Sequence, residues 1–271
     1  MNGTDSIQFL IDAKLVTHMP CPTYQDFDKM VRWLLYSAQP GDLVVLDTIG
    51  QMAFAARGDA KFGTDLDVDL WDSLGKFLDG DKNYLTVYDM AGQMILRRLR
   101  NLRGRGLRII TTAHETENVE SYVKKKAPAM NKALYDSLRS VTSDVFRLWV
   151  LHQPLTTYNP DQSIKASYPV GTRVVQLKPT DTAVAKYHTD PFVTLTLPTH
   201  IPIASATVPT LPVVYSALKK VPTWLCLYGE QGSGKTTAAV SEAMLTYIEQ
   251  YHPNLMAEVQ KQIQQSLTPV E

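Results

Sequence analysis

Only two cysteines, Cys21 and Cys226, occur in 271 residues. That is too few for a disulfide framework or a zinc site. Cys226 lies inside the apolar run Trp224-Leu225-Cys226-Leu227-Tyr228 and reads as a small core residue. The chain also lacks an apolar run long enough to cross a bilayer, and no signal-peptide pattern opens it. The expected setting is therefore cytoplasmic and reducing. Net charge is missing too: 27 basic residues balance 27 acidic ones. The molecule as a whole is no electrostatic glove for nucleic acid, so any basic surface must be local. A hydrophobic content of 44% gives a full core, in one large domain or two small ones.

What the chain does carry is Gly229-Glu230-Gln231-Gly232-Ser233-Gly234-Lys235-Thr236-Thr237. This is the G-x-x-x-x-G-K-[ST] pattern of a phosphate-binding loop. The apolar run 224–228 precedes it, and the helix-like stretch 238–245 follows. Strand, glycine turn and helix form the context in which the pattern acts as a site. Glycines let backbone N–H groups curl around a β-phosphate, and a helix N-terminus adds partial positive charge there. Lys235 would reach the β and γ oxygens, and the Thr236 hydroxyl would ligate Mg²⁺.

Ahead of this unit, strands and helices alternate. Ile7–Ile11 reads as a short strand ending at Asp12, and 24–37 as a helix with apolar residues at Phe27, Met30, Val31, Leu34 and Leu35. Leu43–Leu46 is a continuous apolar strand ending at Asp47, the signature of a parallel strand covered on both faces. Residues 50–81 read as loop with a short helix near 70–78, and 85–103 as an arginine-rich helix. Residues 107–112 read as a strand stopping at Ala113-His114-Glu115. A polar loop with Lys124-Lys125-Lys126 follows, then a helix over 132–140 and a strand over 145–150. Residues 174–178 and 184–187 look like a late hairpin. Five prolines between Pro198 and Pro222 suggest a linker or surface strap. An amphipathic segment, 255–267, closes the chain. The pattern predicts an α/β fold with a mainly parallel sheet flanked by helices and its site at the carboxyl edge.

In their mutual order these pieces resemble the RecA-like ATPases, most closely the phage RecA-like single-strand annealing ATPases. The resemblance rests on Leu43-Val44-Val45-Leu46-Asp47-Thr48 as a Walker B strand and Ile109-Ile110-Thr111-Thr112-Ala113-His114-Glu115 as a sensor strand. It is completed by Asp144–Leu148 and Asp181–His188 as late elements. It covers about two thirds of the chain. The family places its phosphate loop first; here it comes last. The resemblance therefore implies a circular permutant. In it, 1–197 would be a core lacking its first strand and helix, 198–222 a Pro-rich connector, and 223–271 the unit completing the same domain. The rival is that 223–271 opens a further domain.

The resemblance implies roles. Asp47 would hold Mg²⁺ together with Thr236. His114 would sense the γ-phosphate, and Glu115 would orient water. The segment after His114, with Tyr122, Lys124, Lys125, Lys126 and Lys132, would bind single-stranded DNA through phosphates and stacking. The family's catalytic glutamate should follow the strand read at 7–11, but Lys14 stands there, leaving Asp12, Glu115 or slow turnover as the alternatives. The family's Lys-x-Arg finger reads Lys186-Tyr187-His188. The arginines at 97, 98, 100, 103, 105 and 108 read as a solvated helix face, and Trp33, Trp71 and Trp149 as core.

The expected function is an ATP-binding, DNA-stimulated ATPase of recombination, annealing or repair, homo-oligomeric and acting in a bacterial host if phage-encoded. One alternative is a nucleotide-dependent annealing module with little or no hydrolysis. The other is a P-loop small-molecule kinase, which would want an arginine-rich lid that 50–81 does not supply.

Overall fold

The structure, a computed structural model, describes residues 7–53, 84–120, 123–130, 132–158, 164–203 and 209–267. The elements are, in order, helix α1 (Gln8–Asp12), α2 (Tyr24–Ser37), strand β1 (Leu43–Leu46), α3 (Tyr84–Gly104), β2 (Arg108–Glu120), β3 (Val123–Pro128), α4 (Lys132–Val141), β4 (Asp144–Val150), β5 (Leu155–Tyr158), β6 (Ile164–Tyr168), β7 (Arg173–Gln176), α5 (Pro191–Thr196), β8 (His200–Ile203), α6 (Thr210–Leu218), β9 (Trp224–Gly229), α7 (Lys235–Ala239), α8 (Ser241–Tyr251) and α9 (Pro253–Leu267).

The main sheet runs β1-β2-β9-β4-β7-β8, with β3 attached to β2. β1, β2, β9 and β4 are parallel, whereas β7 and β8 are antiparallel additions. The fold is thus α/β, a mixed sheet of mostly parallel strands flanked by helices. β9 sits at its centre, hydrogen-bonded to β2 on one side and β4 on the other. Its residues are all buried, and its side chains alternate between two cores. Trp224, Cys226 and Tyr228 join Ile109, Ala113 and Val145 under α2, α3 and α4. Leu225 and Leu227 join Ile110, Phe146, Leu148 and Val175 under α6 and α7. A strand apolar at every position is stable only where both faces are covered. Burial pushes the Cys226 thiol up to about 12, as expected for a core cysteine.

Four sequence expectations need correcting. Residues 8–12 form a helix, not a strand. Ile7, Leu10 and Ile11 have helical spacing and pack on Val240, Met244 and Tyr247. The sensor strand does not stop at Glu115 but runs on to Glu120 and turns back as β3. The partner of β7 is β8 rather than residues 184–187, which contribute only a single bridge, Val145 to Lys186. The Pro-rich stretch is no surface strap: it holds β8 and α6, whose Ile201, Ile203, Leu211, Val213, Val214 and Leu218 are buried. Its prolines occupy tolerated places. Pro202 lies in an edge strand, Pro209 is an N-cap, and Pro212 falls in a first helical turn.

The predicted short helix at 70–78 and Trp71 lie outside the described residues. Trp33 is half exposed rather than core. The arginine series is largely structural. Arg98 pairs with buried Asp28, Arg103 donates to the Val141 carbonyl at 3.1 Å, and Arg108 pairs with Glu242. Among the described residues no helix is long and apolar enough to cross a membrane.

Candidate functional site

The parallel strands all end on one edge, and the polar residues that terminate them meet there. β9 ends at Gly229, and residues 230–234 turn before α7 begins at Lys235. Gly229 approaches β4 so closely that a β-carbon on it would collide with the Leu148 carbonyl oxygen. Gly234, at φ +84°, takes the left-handed conformation that starts α7. The Ala238 N–H donates to the Gly234 carbonyl at 2.8 Å. The N–H groups of Lys235, Thr236 and Thr237 come before that bond and have no acceptor within their own helix.

The Lys235 side chain is buried inside this turn. Its ammonium donates to the Glu230 carbonyl at 2.6 Å, the Gly229 carbonyl at 3.1 Å and Ser233 Oγ at 3.5 Å. Desolvation lowers its pKa, against the opposing pull of Asp47, Glu115 and Glu230. An anion in the turn would relieve that cost.

Asp47 ends β1, two strands away from β9 with β2 between. It spans that gap through two hydroxyls. Thr236 Oγ1 donates to Asp47 Oδ2 at 2.6 Å, and Thr112 Oγ1, on β2, donates to Asp47 Oδ1. The tail of the chain is thereby joined to its front across 189 positions. One carboxylate and one hydroxyl are hard oxygen donors, suited to Mg²⁺ that keeps waters and takes phosphate oxygens. Among the described residues there is no cluster of three or more His, Cys, Asp or Glu, and such a magnesium site needs none.

His114 lies beside Gly229 in the β2–β9 register and is exposed into the same cleft. The cleft, about 1670 Å³, is also lined by Asp47, Thr48, Gly232, Gly234, Lys235, Thr236 and Arg173. Arg173, missed from the sequence, opens β7 on the far side of β4. A lone arginine 56 positions ahead of the glycine turn gives no local signal.

Other candidates are placed differently. Glu115 is almost buried, and both its oxygens are engaged: Oε2 by Arg147 Nε at 2.6 Å, Oε1 by Arg147 Nη2 at 3.1 Å and by Lys126 Nζ at 3.5 Å. It is a structural ion pair instead of a carboxylate open to water. Asp12 is exposed on α1 and accepts from Gln8 at 2.9 Å. Lys186 points inward, donating to the Arg139 and Thr142 carbonyls at 2.7 and 2.6 Å. It is not a projecting finger.

The lysine segment, expected as a loop, is strand β3. Its register sets Lys126 opposite Glu117, Lys125 opposite Asn118 and Lys124 opposite Val119. Lys126 also reaches Glu117 at 3.1 Å, and this contact raises its pKa and lowers that of Glu117. Lys124 is exposed. Lys132 begins α4. Tyr122 lies outside the described residues.

No family model, curated protein or solved structure matches this chain.

Proposed function

We propose that the chain binds MgATP in the 229–237 turn and hydrolyses it as a RecA-like P-loop ATPase, circularly permuted, acting on single-stranded DNA. The observation that carries the reading is the 2.6 Å contact between Thr236 and Asp47. The motif's hydroxyl and a strand-terminal aspartate 189 residues away converge where one magnesium needs both. The central, doubly parallel position of β9 supports a single domain completed by the unit that begins at Trp224, against a tail that opens a second one.

In this reading the backbone N–H groups of 232–237 and the Lys235 ammonium hold the phosphates. Asp47 and Thr236 would hold Mg²⁺, whose charge would offset that of the phosphates. The Thr112 hydroxyl fixes the Asp47 carboxylate. His114 faces the cleft and begins the stretch of β2 that continues into the β2–β3 hairpin. A γ-phosphate contact at His114 would thus act on the strand that carries Lys124–Lys126. DNA affinity is expected to rise with a non-hydrolysable ATP analogue relative to ADP; equal affinities would sink the coupling.

A second reading, a nucleotide-dependent annealing module with little turnover, draws support from the same site. Glu115 is tied to Arg147, Lys186 is tied to backbone, and no strand ends at Asp12. Phosphate release separates the readings, measured for wild type, Lys235→Ala and Asp47→Ala, each with and without single-stranded DNA. DNA-stimulated release lost in both variants supports the ATPase; tight binding without release supports the module. Absence of nucleotide binding in the wild type rejects both.

A further inference from the structure

We infer that Arg173 is a second cation of the phosphate cradle, supplied from within the same chain. It would contact the end of the phosphate chain remote from the metal. The inference rests on the nucleotide reading above.

The placement follows from the sheet order. Asp47 ends β1, two strands to one side of β9; Arg173 begins β7, two strands to the other side. β7 runs antiparallel to β4, with Arg173 opposite Val150, so its first residue lies at the edge where the parallel strands end. A β-carbon built on Gly234 would stand 3.5 Å from Arg173 Nε and 3.6 Å from its Cζ. The guanidinium therefore lies within van der Waals reach of the last glycine of the turn. Arg173 lines the cleft together with Lys235, Thr236 and Asp47.

Its surroundings are unusual for an arginine. Arg108, Arg147 and Arg98 each pair with a carboxylate. Arg173 is half-buried, and no ion pair or side-chain hydrogen bond joins it to another described residue. Burying part of a guanidinium without a counter-ion is costly unless an anion completes it. The guanidinium fork matches phosphate oxygens. Strands lie about 4.8 Å apart. Asp47 and Arg173 thus bracket the turn from opposite flanks, with the magnesium pole at one and the bare cation at the other. Asp47, which would hold the metal, lies on the opposite flank of the turn, so Arg173 is assigned to the α- and β-phosphates, which ADP and ATP share.

The test is equilibrium binding of MgATP, MgADP and MgGDP to the full chain, as wild type, Arg173→Met, Arg173→Lys and Lys235→Ala. Unfolding midpoints are measured alongside to show that each variant is folded. Arg173→Met should weaken ATP and ADP by the same factor, about tenfold, and Arg173→Lys by less. GDP, where it binds, should lose that same factor. Unchanged affinities in folded Arg173→Met overturn the inference, as does a loss confined to ATP or one that varies with the base. If Lys235→Ala loses binding while Arg173→Met keeps it, the inference alone fails. If the wild type binds no nucleotide, both fail.

Discussion

β2 is one strand with two different halves. Up to His114 it lies inside the sheet, between β1 and β9, and two of its polar side chains serve the site: Thr112 donates to Asp47, and His114 opens to the cleft. Beyond Glu115 it leaves the sheet and pairs only with β3, and there the charges settle one another: Glu115 with Arg147 and Lys126, Glu117 with Lys126. Where the strand meets the turn, polar groups converge on one small volume. Where it becomes a hairpin, the same residue types cancel pairwise. Charged residues close in sequence therefore do different jobs according to whether a neighbour of opposite sign is built in.

The contrast can be broken by substitution, and the largest effect belongs to the turn. Lys235→Ala and Asp47→Ala should each cut nucleotide turnover by about 10²–10³, read as phosphate release, without loss of the folded state. Next comes Gly229→Ala, which sets a methyl group into the Leu148 carbonyl. It should cost about 3 kcal/mol in denaturant unfolding; a silent substitution would mean that β9 is not wedged against β4.

A smaller loss sharpens the assignment of Glu115. Glu115→Gln strips a partly buried guanidinium of its counter-ion, so stability should fall by about 2 kcal/mol while turnover per folded molecule stays within a few-fold. The reverse outcome, intact stability with lost turnover, would return Glu115 to the chemistry. Smallest is the hairpin. Lys124→Ala should weaken single-stranded DNA binding less than tenfold and lower its salt slope by about 1. Lys126→Ala, already neutralised by Glu117 and Glu115, should change it less.

What could be read from the chain alone followed from local pattern. The run 224–228, the glycine turn and the Leu43–Leu46 strand are each continuous in sequence, and each stands where its pattern suggested. What escaped depended on tertiary partners or on an ambiguous period. Five residues of α1 are too few to separate a strand from a helical stripe, and the packing of Phe9 on Tyr247, centroids 4.9 Å apart, decides it. Prolines marked 198–222 as irregular, yet an edge strand and helix termini accept them. At the site, Asp47 and Thr236 were legible as the ends of motifs. Arg173 was not, because only the order β9-β4-β7 brings it to the turn.

β9 is the innermost strand, yet it is made late. While a ribosome extends the chain, β2 and β4 have emerged with their facing edges bare, some 75 residues before Trp224. The nascent protein holds a slit in its middle that only β9, from Trp224 on, can fill. Such edges invite pairing with another chain. Release truncated before Trp224 should therefore yield aggregates that need a chaperone, and completion of the fold should wait until β9 has left the ribosome.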